Sequence, residues 1–341
     1  MTANTKYGGV VEWSDEDRCF VGSYPGIIGP CCHGDDKDQV YLQLRQIVDE
    51  WLEIEYEDRE KTPYGRVPGS EEYVDRVKSH LTEYRRNHLG IEQVGTWDGT
   101  PYDHILPKEL LYLNLIETVR VEVCQYLQES KIRLDRHFHH LNSSQAACIN
   151  LFWPLLNCAN SGLLAESLGI GPGEVAHWEF EKVMDWNEKT SFDLYLELNS
   201  GAKTFIEFKY KEIEFGRAKD DAQHRQKLND IYEPALRDIV NPEYLKKKKF
   251  FANYQFFRNL IYIDPERGDK VLFLLPRANE KIIRKLHKEI KAAILDASVR
   301  SLIKIRYLED VVSNAYESAH LSDDDFYLRT HLHLYRQKYL V

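Results

Sequence analysis

The sequence predicts an α/β fold, in which a mixed central sheet flanked by helices follows a mainly helical, acidic N-terminal extension. Three observations predict it. Residues 191–210 read SFDLYLELNSGAKTFIEFKY, two strand-like runs around a tight turn. From about residue 141 onward, segments with a period of two alternate with segments of helical period. Ahead of that point the recognisable patterns are helical, which places the boundary between extension (1–135) and core (136–341).

In residues 36–60 the apolar positions Val40, Leu42, Leu44, Ile47, Val48, Trp51 and Leu52 recur at helical spacing. Residues 69–88 and 108–127 read as further helices, and the Gly-, Pro- and Asp-rich residues 90–107 between them read as a loop. Ser143 and Ser144 can cap a helix over 145–156. Residues 174–183 alternate as a strand, with Val175, His177, Glu179 and Glu181 on one face and Ala176, Trp178, Phe180 and Lys182 on the other. The hairpin follows, then helices over 221–240 and 249–261, an apolar strand at 271–275, a helix at 279–295 and a last strand near 302–307. The core order is therefore α-β-β-β-α-β-α-β.

Composition bounds the function. A 341-residue chain that is 43% hydrophobic and 12% aromatic can bury a sizeable core as one large or two smaller domains. The first residues hold no basic segment leading into an apolar run, and the longest apolar stretch, 146–159, is interrupted by Asn150 and Asn157. Neither export nor a membrane partner is expected, and the expected location is the cytoplasm. Six cysteines show no disulfide-framework spacing, and Cys31-Cys32-His33 lacks the second ligand pair of a zinc site. The net charge of −10 is unevenly spread. Acidic clusters at Asp15-Glu16-Asp17, Asp35-Asp36 and 53–60 make the front part either a surface for a protein partner or a guard over the basic part. Residues 244–306 carry Lys246 to Lys249, Arg277, Lys281, Arg284 and Lys285, which either attract phosphate or form an ordinary solvated face.

The hairpin carries the chemistry. Asn199, Ser200 and Gly201 suit a three-residue loop with Gly in the left-handed position, which sets Glu197 across from Lys203, Tyr195 from Phe205, and Asp193 from Glu207. Two carboxylates held about 5 Å apart repel, and the period of two puts Lys209 on the same face. A divalent cation would resolve the conflict. Mg²⁺ prefers one or two carboxylates plus water and substrate oxygens, the arrangement that phosphodiester hydrolysis needs. The plain alternative is a salt-bridged surface hairpin, since 29% of residues are charged.

A carboxylate on one strand followed by Glu-x-Lys at the end of the next resembles the active-site hairpin of the PD-(D/E)XK nuclease superfamily. Phe192-Asp193 stands for its Pro-Asp, with Phe in place of Pro, and Glu207-Phe208-Lys209 for the second half. The core order is similar to that of the superfamily, and Ser143 to Leu155 resembles the opening helix of a bacterial restriction-endonuclease-like family within it. Tyr254 to Leu260 resembles the helix after the hairpin, in which a glutamine, here Gln255, approaches the metal. The resemblance implies Mg²⁺, with Mn²⁺ able to substitute, held by Asp193 and Glu207, and Lys209 assisting the attacking water. It implies a nuclease acting on nucleic acid, DNA ahead of RNA, of restriction or defence type, and a homodimer would supply a site for each strand.

Gln145, Gln255 and Glu179 are candidate supporting residues. Gln145 and Gln255 either line the site or satisfy core hydrogen bonds. Glu179 or Glu181 is either a third carboxylate or part of the wet face of its strand. Arg258, Arg225 and Lys227 are candidate phosphate contacts whose alternative is helix-surface charge. A non-catalytic binding protein on the same scaffold, and a repair nuclease or RNase, are the competing functions.

Overall fold

A computed structural model describes residues 9–24, 27–60, 70–158, 160, 162–185, 190–319 and 325–341, and the side chains of 49–60, 70, 71 and 325 lie outside the description. The acidic run at 53–60 therefore falls outside the described side chains.

The front of the chain is not helical throughout, as the sequence reading had it. It opens with an antiparallel sheet of β1 (Val10–Ser14), β2 (Cys19–Tyr24) and β3 (Ile28–Gly34), whose β-branched and aromatic residues Val10, Val11, Trp13, Phe20 and Val21 favour strand. Helix α1 (Lys37–Glu60) packs on it so closely that a Cβ on Gly22 would lie 3.2 Å from Val40 and 3.4 Å from Leu44. Next come α2 (Ser70–Glu83), extended by a π turn over Tyr84–His88, and a small hairpin of β4 (Gly95–Trp97) and β5 (Thr100–Tyr102) inside the predicted loop. The single helix expected at 108–127 is broken. A 3₁₀ segment Lys108–Asn114 ends in extended backbone at Leu115 and Ile116 before α3 (Glu117–Ser130) begins.

Helix α4 (Ser144–Leu156) is buried from Gln145 to Leu155 and is followed by α5 (Leu163–Leu168). Three antiparallel strands come next, β6 (Val175–Asp185), β7 (Thr190–Leu198) and β8 (Lys203–Phe208). The helical region after β8 is a set of short pieces: α6 (Ala222–Lys227), a π turn, α7 (Glu233–Leu236), α8 (Pro242–Leu245), α9 (Lys247–Ala252) and α10 (Tyr254–Leu260). Strand β9 (Lys270–Leu275), α11 (Glu280–Ala293), α12 (Ala297–Leu302) and β10 (Ile303–Tyr307) complete the sheet. Helices α13 (Leu308–Ser318) and α14 (Asp325–Tyr339), absent from the sequence reading, follow.

The five-stranded sheet has the order β10-β9-β8-β7-β6, and β8–β9 and β9–β10 are parallel. It is mixed and covered on both faces, so alternate residues enter two different cores. Leu194, Leu196, Ile206, Phe208, Leu272 and Leu274 join a core shared with α4, α5, α13 and α14. Tyr195, Phe205, Val271, Phe273 and Leu275 join a second core with the helices that follow β8. The first core runs without a break from Val11 to Tyr339 and includes buried residues of α1, α2 and α3.

Asn150 on α4 ties these parts together. Its Oδ1 accepts from Ile116 N at 2.8 Å, and its Nδ2 donates to Asn114 O and to Tyr339 Oη at 2.9 Å each. Its side chain is thus a core hydrogen-bonding hub.

Candidate active site

The hairpin forms in the expected register, with Glu197 opposite Lys203, Tyr195 opposite Phe205 and Leu194 opposite Ile206. The regular pairing of β7 with β8 ends there. Phe208 N, instead of meeting a backbone carbonyl of β7, donates to Asp193 Oδ2 at 2.6 Å. Side-chain alternation is also interrupted, since Phe192 enters the second core while Leu194 enters the first. Asp193 is thereby released from the second-core face and lines a cleft of about 520 Å³ with Gln145, Glu181, Lys209, Lys211 and Glu212.

Glu207 lies beneath this cleft, 3% exposed. Its Oε1 is 2.7 Å from Lys209 Nζ and accepts from Gln255 Nε2 at 2.5 Å, and its Oε2 accepts from Asn259 Nδ2 at 3.0 Å. Gln255 is itself fixed, because its Oε1 accepts from Gly216 N. The Asn259 contact was not legible in the sequence beyond its place on the helix of Gln255, one turn along.

Of the two candidate glutamates on β6, Glu181 lines the cleft and Glu179 does not. Glu179 is 40% exposed and pairs with Lys182 at 2.6 Å, away from the cleft. A strict period of two would keep both glutamates together, but Glu181 has φ +53°. That left-handed kink, uncommon for a residue with a Cβ, turns its side chain toward Gln145, whose Nε2 donates to Glu181 Oε1 at 2.9 Å. Gln145 Oε1 accepts from Asp135 N at 2.8 Å. Glu212, which the sequence did not single out, and Ser144, which it marked only as a cap, are hydrogen-bonded to each other and also line the cleft.

The electrostatics follow from this crowding. Burial, then Glu207 and Glu181, push the Asp193 carboxyl well above the usual carboxylate range, against the pull of Lys209 and of the Phe208 N–H. Burial raises Glu181 to about 7, with Gln145 lowering it and Glu207 and Asp135 raising it. For Lys209 burial acts to depress the ammonium, but Glu207, Glu212 and Asp193 outweigh it and hold the group above its ordinary value. Lys209 is therefore a cation and a donor at neutral pH.

The three candidate phosphate contacts stand outside the cleft lining. Arg225 is exposed and pairs with Asp220, Arg258 lies 6.0 Å from the Tyr254 ring centre, and Lys227 is half-buried at the end of α6. In the basic region, Lys246 pairs with Glu243, Arg277 with Asp310 and Arg284 with Glu280.

A family described as Restriction Endonuclease associating with ARP matches residues 78–340. The chain belongs to this family. No curated protein and no solved structure matches it. The family match begins well ahead of residue 136, so it takes in the end of α2, the β4–β5 hairpin and α3 as well as the sheet. No helix among the described residues is long and apolar enough to cross a membrane.

Among the described residues no three His, Cys, Asp or Glu side chains form a group that could hold a metal ion. Asp193 and Glu207 are two. Mg²⁺ accepts a pair of carboxylates when water and substrate complete its shell, so hard oxygen donors of this kind fit it. Burial first, and then mutual repulsion with Glu207, raises the Asp193 and Glu181 carboxyls, a repulsion that a bound cation would relieve.

Proposed function

We propose that the protein is a metal-dependent nuclease hydrolysing phosphodiester bonds, a DNA endonuclease of restriction type. The observation that carries this reading is the convergence of Asp193, Glu181 and Lys209 on one cleft, with Glu207 held beneath it, in a chain of a restriction-endonuclease family. The run of antiparallel β6, β7 and β8 followed by parallel β9 and β10 supports a restriction-endonuclease-like core.

In this reading Asp193 and Glu207 hold Mg²⁺, or Mn²⁺ in its place, and the ion supplies Lewis acidity at the phosphate and a water of lowered pKa. Lys209, kept charged by its carboxylate neighbours, donates to the attacking water or to a phosphate oxygen and so orients the one and neutralises the other. Gln255 and Asn259 fix the Glu207 carboxylate, so it need not reorganise during reaction. Gln145 holds Glu181 against Asp193 and completes the acidic wall. The association in the family's description supports a partner besides DNA. The surface we assign to it, on its exposed acidic charge, is Asp15, Glu16 and Asp17 at the β1–β2 turn, ahead of the matched residues.

Purified protein and its Lys209→Ala and Asp193→Asn variants should be compared on supercoiled, linear and single-stranded DNA and on RNA, with Mg²⁺, Mn²⁺ or EDTA. The expected result is metal-dependent cleavage of DNA, reduced on the order of 10²-fold or more in both variants while circular dichroism stays unchanged. Wild type that leaves every DNA form intact with either metal overturns the reading.

A further inference from the structure

Beside the carboxylate cleft lies a second cavity of different chemistry. It measures about 420 Å³ and is lined by Trp97, Tyr102, His104, His140, Lys78 and Lys211, among others. Arg136, His137 and Lys211 line both spaces, so the two adjoin. We propose that this cavity binds an unpaired nucleotide of the nucleic-acid strand whose neighbouring phosphate occupies the cleft. The proposal rests on the nuclease reading for the nature of the strand.

Charge and ring content define the ligand. The described lining contains Lys78, Arg136 and Lys211 and no carboxylate, so the cavity is basic, whereas the adjoining cleft balances Asp135, Glu181, Asp193 and Glu212 with Arg133, Arg136, Lys209 and Lys211. A strand anion is thus favoured in the cavity and tolerated beside Lys209 in the cleft. Lys78 reaches Asp75 at 3.2 Å, and Lys211 Nζ donates to Asn142 at 3.1 Å, so both ammonium groups are positioned. Tyr102 is 41% exposed, and the Arg136 guanidinium lies 4.7 Å from the Trp97 ring centre. Basic groups that track a backbone, interleaved with rings on which bases stack, are the means by which proteins hold unpaired strands. A base inside a duplex is stacked on its neighbours and cannot enter such a space without leaving the helix.

The cavity is built rather than incidental. Asp98 and Gly99, with φ +47° and +80°, suit the tight two-residue turn that joins β4 to β5. Gly95 N donates to Ile105 O at 2.7 Å, and Leu106 N to His139 O at 3.0 Å, which ties the hairpin to the segment that leads into α4 and Gln145. A Cβ on Gly95 would lie 2.1 Å from Leu106 O, so only glycine permits this approach. His140, 6% exposed, leaves its Nε2 without a hydrogen-bond partner. Burial, together with nearby cations and histidines, holds His104 at about 4 and His140 at about 3, so both imidazoles are neutral.

The test is fluorescence anisotropy with a labelled oligothymidylate and with a blunt duplex, in EDTA, over a range of salt. Tyr102→Ala and Trp97→Ala should weaken single-strand binding about tenfold with the salt slope unchanged, and Tyr102→Phe, which keeps the ring, should bind as wild type. Lys78→Ala should lower the salt slope by about 0.7. Blunt-duplex binding should be the same in wild type and both aromatic variants. Unchanged single-strand binding in both alanine variants, or no single-strand binding by wild type, overturns the inference. Cleavage is measured separately: DNA cutting with unaltered oligothymidylate binding in the variants defeats this inference alone, whereas ring-dependent binding without cutting defeats the nuclease reading alone.

Discussion

At the scale of single residues, burial and the Glu207 and Asp135 carboxylates raise the Glu181 carboxyl from 4.5 to about 7, although Gln145 pulls the other way. A carboxyl whose folded pKa lies above its unfolded one binds its proton more tightly when folded. Its contribution to stability is therefore full below about pH 4.5, declines as pH rises, and is gone above about 7, a change of up to about 3 kcal/mol. Urea unfolding in EDTA at pH 5 and pH 8 should show wild type losing stability with rising pH and Glu181→Gln losing less. Asp193, shifted in the same direction, accounts for the remainder. Equal losses in the two proteins would refute this. Asp193, Glu207 and Lys209 could be nominated from sequence because a tight turn sets the hairpin register, but the expected Asp193–Glu207 pair does not form, since regular pairing ends at Leu194 and Ile206. Choosing between Glu179 and Glu181 needed the positive φ at Glu181, which no side-chain pattern encodes.

At the scale of elements, α4 is held through Asn150. Replacing it with alanine would leave Ile116 N, Asn114 O and Tyr339 Oη without their partners in a dry interior. The expected loss is about 2–4 kcal/mol, read as a lower midpoint in chemical denaturation with an unchanged slope. The strands of the five-stranded sheet and α4 were legible to within a residue or two, because their apolar residues follow one period and face one or two cores. Helix α14 was not. It buries Arg329, Thr330, His331, His333, Arg336 and Lys338 among its apolar residues, so no polar face marks it as amphipathic. Lys338 Nζ is satisfied by Asn114 O and Oδ1, a partner far away in sequence. The 108–127 pattern misled for a related reason, since the break at Leu115 and Ile116 depends on the distant Asn150.

At the scale of the molecule, the shared core predicts that the sheet region does not stand alone. Residues 136–341 expressed without the preceding segment, or the chain cut before residue 325, should lack cooperative thermal unfolding, because Val77, Leu81, Val119, Val123, Leu328, Leu332 and Tyr335 all close the same interior. A sharp melting transition in either piece would show that the interior can close without them. The tie runs up to the site itself: Tyr210, the residue after Lys209, donates its hydroxyl to Tyr339 O at 3.0 Å, and its own carbonyl accepts from Tyr73 Oη at 3.1 Å. During synthesis, then, the hairpin of Asp193 and Lys209 leaves the ribosome long before the helix that must brace it. The hairpin is thus fully braced only once the last helix of the described residues has been made.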